Sequence, residues 1–283
     1  MFKQIKYITA LISVFFFIGC NKHSNDDILN FVDPFIGTGF HGHTFPGPTL
    51  PFGMVQVGPD TRIEGWDGCS GYHYSDTIIY GFSHTHLSGT GIGDYCDLLL
   101  MPIQGNPTFN NGYQDPSILN YASSFNKKKE KACAGFYEVN LDKHDIQVQL
   151  TCTERVGIHK YSFSNSNDAS IVVDLEHRDK LLESELYISS DSMIMGKRIS
   201  QSWAQKQYFY FCIALSSAYD VQFNNDSIPT KSILKLRESR DDVLVKVGVS
   251  TVSAESARNN LALEAPHWNF NEYKFCLLYT SDA

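Results

Sequence analysis

Short runs of alternating apolar and polar residues occupy the chain from about Gly135 to Val249, and this pattern limits the fold more than any other feature. In Phe136–Leu141 the side chains of Tyr137, Val139 and Leu141 fall on one face, and Ile146, Val148 and Leu150 alternate in the next run. Further runs lie at His159–Phe163, Ile171–Leu175, Leu186–Ile188, Met193–Ile199, Tyr208–Leu215, Tyr219–Phe223, Ile233–Leu236 and Val243–Val249. Polar stretches such as Ser164–Asp168 and Asn224–Ser227 separate them. A period of two sends alternate side chains to opposite faces of an extended strand, so one face can be buried while the other is wetted. Short strands joined by polar turns predict an all-β fold, most simply an antiparallel β-sandwich. No amphipathic helices alternate with the strands, which argues against a doubly wound α/β sheet and against a TIM barrel.

Both ends of the chain depart from this pattern. Lys3 and Lys6 precede an apolar stretch from about Ile8 to Ile18, too short to span a bilayer, so residues 1–20 read as an export signal. The stretch closes on Gly19 and Cys20, as a bacterial lipobox does, although Phe17 stands where Leu is usual. Cys20 is therefore the expected lipidation site, and residues 21–29 a polar tether. The expected location is the envelope of a Gram-negative bacterium, with the chain lipid-anchored on the periplasmic side or at the outer-membrane surface. Near the other end, residues 253–264 are rich in helix formers, with Ser253 as N-cap, Glu255 in the first turn and Pro266 as the stop. Residues 253–275 thus predict a helix and the start of a linker. The last eight residues, CLLYTSDA at 276–283, back-translate to TGTCTCTTATACACATCTGACGCT, which looks like a transposase-type sequencing adapter. The expectation is that they derive from an adapter and that the natural protein continues past Phe275.

Residues 31–105 are built differently again, with 14 of the 20 Gly, 6 of the 10 Pro and 5 of the 10 His. They read as long ordered loops around short strands at Met54–Val57 and Tyr95–Met101. Loops this dense in glycine, histidine and aromatics usually carry function. The Pro59–Tyr74 segment places Arg62, Trp66 and several carboxylates close together. Such groups suit a sugar, whose hydroxyls take hydrogen bonds while a ring face packs on an indole. The pairs His41/His43 and His84/His86 have the spacing that puts two imidazoles on one face of a strand, as a zinc site would need. The alternative is loop hydrogen bonding, and the βα scaffold with later ligands that such a hydrolase would use is missing from the pattern. Asp94 and Asp97 read as turn carboxylates, and the run KKKEK at 127–131 as a solvated loop.

Composition excludes two further classes. The net charge of −8 argues against a nucleic-acid binder working by bulk electrostatics. The 7 Cys are scattered without CxxC pairs, which argues against a zinc ribbon or a disulfide framework. Cys69 and Cys96 carry no expected redox role.

The joined string VDPFIGTGFHGHTFPGPTLPFGMVQVGPDTR (Val32–Arg62) resembles the N-terminal domain of glycoside hydrolase family 92, the calcium-dependent exo-α-mannosidases. GYHYSD (Gly71–Asp76), YGFSHTHLSGTGIGDY (Tyr80–Tyr95), SQSWAQKQYFYFCIALS (Ser200–Ser216) and VGVSTVSAESARNNLALE (Val247–Glu264) extend the resemblance to roughly Asn30–Phe275. It implies a supersandwich-like N-terminal β-domain over residues 30–252 and a larger (α/α)6 catalytic domain, which is absent from this chain. It implies removal of terminal α-mannose from glycans with inversion and with Ca2+, whose ligands are expected mainly in the absent domain. The catalytic acid and base are expected there too, so none is assigned here, and no residue of the chain is assigned as a metal ligand. The resemblance makes Arg62, Trp66, His84 and His86 candidates for substrate contact. Phe40, His41 and His43 become candidates for a loop at the domain interface. The fragment alone is expected to be inactive; a free-standing carbohydrate-binding lipoprotein is the alternative.

Overall fold

The computed structural model describes residue 29 and residues 31–165, 168–189, 193–237 and 242–280, with side chains as far as 277. The chain forms two compact units, Met1–Val32 and Asp33–Ala283. Nearly all of the first lies outside the described residues, including the export signal, Cys20 and residues 21–28 of the tether. The second unit carries the sheets and helices.

Its strands are β1 (Gly58–Asp60), β2 (Ile78–Ile79), β3 (Gly81–Ser83), β4 (Leu99–Gln104), β5 (Ser123–Ser124), β6 (Lys131–Cys133), β7 (Phe136–Leu141) and β8 (Ile146–Cys152). They continue with β9 (Val156–Phe163), β10 (Ala169–Asp174), β11 (Lys180–Ile188), β12 (Ile194–Gln201), β13 (Gln207–Leu215), β14 (Tyr219–Phe223), β15 (Lys231–Leu236) and β16 (Asp242–Ser250). One sheet has the order β1-β3-β4-β10-β15-β14, a second β11-β12-β13-β16-β9-β8-β7-β6, and β2 pairs with β5 alone. Every named pairing is antiparallel, for example Val172 opposite Met101 and Tyr161 opposite Val148. Leu100, Val173 and Leu234 of the first sheet share one buried cluster with Val139, Tyr161 and Phe211 of the second, which makes the pair of sheets a sandwich. The antiparallel β-sandwich expected from the period-two runs is the observed fold.

Two sequence expectations shift. The extended run expected at Tyr95–Met101 begins only at Leu99, because Tyr95, Cys96 and Leu98 have φ of 68°, 57° and 54°. Left-handed backbone cannot lie in a strand ladder. The Met54–Val57 run contributes one bridge, Gln56 to Thr49, and the regular strand starts at Gly58. The KKKEK run is also less solvated than its charge suggests. Glu130 is buried and accepts hydrogen bonds from the hydroxyls of Tyr72 (3.0 Å) and Tyr137 (2.7 Å), while the Lys127 ammonium sits 4.3 Å from the Tyr72 ring centroid.

Helix α1 (Ala254–Glu264) forms as expected, with Ser253 Oγ accepting the Ser256 N–H at 3.0 Å. It lies against the outer face of the larger sheet through Ala257 and Leu261. Gly248 of β16 permits this approach: a Cβ there would stand 2.2 Å from the Ala257 carbonyl oxygen. A second helix, α2 (Phe270–Thr280), was not legible in the sequence; Phe270 and Tyr273 join α1 in the same satellite cluster.

Candidate functional site

The Gly- and His-rich segment folds into two layers, one at the surface and one inside. At the surface, Trp66 opens a single 3-10 turn, Trp66–Gly68, and its side chain is 56% exposed. Its ring centroid lies 4.9 Å from that of His41 and 4.4 Å from that of His43, edge-on to the latter. His41 Nδ1 is 2.7 Å from Asp67 Oδ1, and that hydrogen bond holds the Asp67 carboxyl below its ordinary range. His43 Nδ1 donates to the Thr90 carbonyl at 2.6 Å, and its buried Nε2 lies 3.5 Å from Asp67 Oδ1 without a hydrogen bond. Gly91 lets the next loop pass beside the indole, since a Cβ there would come within 2.9 Å of Trp66 Nε1. Arg178 fastens the turn from behind by donating to the carbonyls of Arg62 (2.8 Å) and Gly68 (2.6 Å). Aromatic, imidazole and carboxylate groups thus converge on one exposed, backbone-braced spot.

Phe40 extends this surface. It is 87% exposed, at φ 54°, and its carbonyl accepts from His73 Nε2 at 3.1 Å. Arg62 lies nearby, but its guanidinium is paired with Asp76, with Nε 3.2 Å from Oδ2 and NH2 on Oδ1. Of the sequence candidates, Trp66, His41 and His43 are therefore brought together with Asp67, while Arg62 is partly occupied by an ion pair.

His84 and His86 belong to the inner layer. Strand β3 ends at Ser83, so the two imidazoles do not share a strand face, and both are buried. His84 Nδ1 donates to the Leu98 carbonyl at 2.8 Å, which leaves its Nε2 as an acceptor. His159 Nε2 therefore donates to it at 2.9 Å, and Tyr161 donates its hydroxyl to His159 Nδ1 at 2.9 Å. This relay is satisfied only with both imidazoles neutral. Burial correspondingly lowers His84 to a pKa of about 4 and His159 well below its ordinary value. His84 is thus closed off from a ligand at the surface.

His86 turns the other way. Its ring stacks on Phe45 at 4.7 Å, Nδ1 donates to the Gln56 carbonyl at 2.7 Å, and Nε2 lies 3.0 Å from Asp60 Oδ1. It borders a cavity of about 590 Å3 lined also by Gln56, Thr85, Tyr95, Asp97 and Gln207. Asp97 is not a simple turn carboxylate. It is fully buried, pairs with Arg198 of β12, and accepts from Thr85 Oγ1 at 2.9 Å and Gln207 Nε2 at 2.7 Å. Neither HxH pair forms a zinc site. Among the described residues, one group of three His, Cys, Asp or Glu side chains brings its ligand atoms within 4.8 Å of one another: Asp60, His86 and Cys96. His159, His177, Arg178 and Arg198 were not legible in the sequence because each has a partner 75 or more residues away, His84, Asp60, the Arg62 carbonyl and Asp97 respectively, and no spacing marks them.

Residues 31–250 match the glycosyl hydrolase family 92 N-terminal domain. An uncharacterized secreted glycosidase of Arthroderma benhamiae is 31% identical over 165 residues, which is 53% of this chain and 20% of that protein. A family 92 α-mannosidase of Bacteroides thetaiotaomicron, solved with mannoimidazole, superposes with a TM-score of 0.84 at 29% identity, over 90% of this chain and 36% of that one. An inverting family 92 mannosidase of the same bacterium superposes at 0.72 and 20% identity, over 90% and 35%, and supports the fold alone. The chain therefore spans about a third of these solved structures and a fifth of the fungal relative.

Proposed function

Because the chain belongs to glycosyl hydrolase family 92, we propose that it is the N-terminal part of an exo-acting α-mannosidase that releases terminal α-linked mannose from glycans. Inversion and Ca2+ dependence are part of this reading, as are export and a lipid anchor at Cys20. The observation that carries it is the exposed Trp66 group on a domain that superposes on an α-mannosidase solved with mannoimidazole. The export signal in the sequence and the secreted fungal relative support a location outside the cytoplasm.

On this reading the indole of Trp66 packs against a sugar face, and His41 and Asp67 meet its hydroxyls at the rim. Inversion needs one carboxyl as acid and one as base, set about 6.5–9.5 Å apart to admit water. The carboxylates here are poorly suited to either role. Asp67 is held ionised by His41, whereas a general acid needs a raised pKa. Asp60 is fully buried beside His86, and Asp97 is buried in an ion pair with Arg198. The chain accordingly supplies binding and orientation, and the acid and base belong to the catalytic domain outside it. Calcium takes about six to eight oxygen ligands. The convergent group present, with one carboxylate, one imidazole and one thiol, does not fit that ion, so no step on this chain runs through it.

The test uses the full-length enzyme on an α-linked mannobiose. Mannose release should vanish with EDTA, return with Ca2+, and give the β-anomer first by NMR. Turnover indifferent to chelation, or α-mannose formed first, overturns the reading. Mannose release by the 283-residue chain alone would also count against it. Trp66→Ala in the full-length enzyme should raise KM roughly 5- to 30-fold, the equivalent of about 1–2 kcal/mol of lost packing. The melting temperature should stay unchanged because the side chain is more than half exposed. An unaltered KM would remove Trp66 from the site.

A further inference from the structure

We infer that Asp60, His86 and Cys96 form a structural site for one borderline-soft divalent transition ion, Zn2+ first, braced by His177. This site is separate from any calcium and from the HxH pairs as units, and it does not depend on the reading of activity.

The first argument is the placement of lone pairs. His86 Nδ1 faces the Gln56 carbonyl at 2.7 Å, and a carbonyl only accepts, so the proton of neutral His86 is on Nδ1. Its Nε2 then presents a lone pair to the Asp60 carboxylate 3.0 Å away, with both side chains fully buried. The Ser83 hydroxyl, 3.3 Å from Nε2, donates to the same lone pair at long range, but the carboxylate still faces it, and two acceptors at 3.0 Å repel unless a positive charge lies between them. Protonating His86 would meet this need for one contact only. Asp60 Oδ2 still has no hydrogen bond, His177 Nδ1 has none, and His177 Nε2 approaches Oδ2 at 3.3 Å without forming one. A carboxylate oxygen and both nitrogens of an imidazole are thus left without hydrogen bonds in a cluster fully removed from water, which points to a missing partner.

The second argument is the thiol. Cys96 Sγ completes the triad whose ligand atoms lie within 4.8 Å of one another. It is aimed inward by left-handed backbone at Tyr95 and Cys96, at φ 68° and 57°, a strained conformation that tends to persist where a site needs it. The three groups also converge on Gly71. A Cβ there would stand 2.4 Å from Asp60 Oδ1, 2.8 Å from Cys96 Sγ and 3.1 Å from His86 Cδ2, so no side chain can replace that glycine. Thiolate, imidazole and carboxylate together select zinc over magnesium or calcium. His177 at the second carboxylate oxygen is the outer partner that orients such a ligand. Burial keeps the Cys96 thiol protonated in the free chain, so the ion displaces that proton to solvent as the sulfur–metal bond forms.

The experiment strips the purified full chain with a chelator, then titrates it with Zn2+ or with Co2+ as an optical reporter. The expected result is one equivalent of Zn2+ retained through dialysis and, with Co2+, a sulfur-to-cobalt charge-transfer band in the near ultraviolet. The band should be lost in Cys96→Ser and kept in Cys133→Ser, whose thiol is exposed. Excess Ca2+ should displace neither metal. Failure of the unmodified chain to retain a stoichiometric ion overturns the inference whatever the variants do, as does a band that survives in Cys96→Ser or a metal that Ca2+ displaces.

Discussion

Arg198→Ala is expected to destabilise the domain by about 3–5 kcal/mol, the cost of leaving buried carboxylates without their cation. The Arg198 side chain is 1% exposed, as is that of Asp97, and Asp179 is only slightly more so. The guanidinium pairs with both carboxylates, and its Nε donates to the Leu175 carbonyl at 2.8 Å. Arg198 sits on β12 of the larger sheet, whereas Asp97 precedes β4 of the smaller one, so the pairing ties one sheet to the loops leading into the other. It also fixes Asp97 where it accepts from Thr85 and Gln207 at the wall of the cavity. Urea unfolding at neutral pH measures the effect. Arg198→Lys should recover only part of the loss, because an ammonium cannot reproduce the fork of donors. Replacing Arg198, Asp97 and Asp179 together by Met, Leu and Leu should cost less than Arg198→Ala alone, since no charge is then stranded. A single variant within about 1 kcal/mol of the parent would show that water reaches and screens these groups.

The second large effect is acid sensitivity above the carboxylate range. An unfolded histidine takes up its proton near pH 6.5, whereas folded His84 does so only at about 4. Below pH 6.5 the unfolded chain therefore binds more protons than the folded one, and stability falls as the pH is lowered towards 4. His84 alone contributes a loss on the order of 3 kcal/mol across that window. His159 is lowered in the same direction by burial and by His84 beside it, and deepens the loss. Between pH 7 and 5, where most carboxylates stay ionised, the urea midpoint should drop steadily. In His84→Gln with His159→Gln the slope should flatten, even if the double variant is less stable at pH 7. A midpoint that is level in the parent, or equally steep in the variant, would mean that these imidazoles are hydrated or already protonated.

How far the sequence reached depends on the range of the physical signal. Most of the strands from β7 to β16 were legible because burying one face of a strand writes itself every second residue, whereas β10, buried along its whole length, showed as a short apolar run. Tyr137, Val139 and Leu141 are all fully buried, as their alternation required. Ser253 and Pro266 marked α1 for an equally local reason, the unmatched N–H groups at a helix start and the lost donor of proline. The α2 segment has no such punctuation and little apolar periodicity, and its helix follows from packing against the larger sheet at β8 and β9, with Phe270 edge-on to Phe136. The short-strand expectation at Tyr95 failed because Tyr95, Cys96 and Leu98 take left-handed backbone, which no neighbour in sequence reports.

The same division runs through the candidate site. The joined motif from Val32 to Arg62 determined, without coordinates, which family to expect, and the glycine, histidine and aromatic skew of residues 31–105 pointed to the segment that carries the proposed site. Trp66 stood among glycines that cannot build a core, and it is exposed. The roles of the four HxH histidines were beyond the sequence. Spacing makes His41/His43 and His84/His86 equivalent, yet the first pair flanks an indole at the surface, while His84 joins a neutral relay and His86 meets a buried carboxylate. Periodicity records which face of a strand is buried, because that is settled within a few residues. The protonation and partners of a buried polar group depend on atoms brought from 26 to 117 positions away, as Asp60 is to His86 and to His177, and only the closed sandwich puts them there.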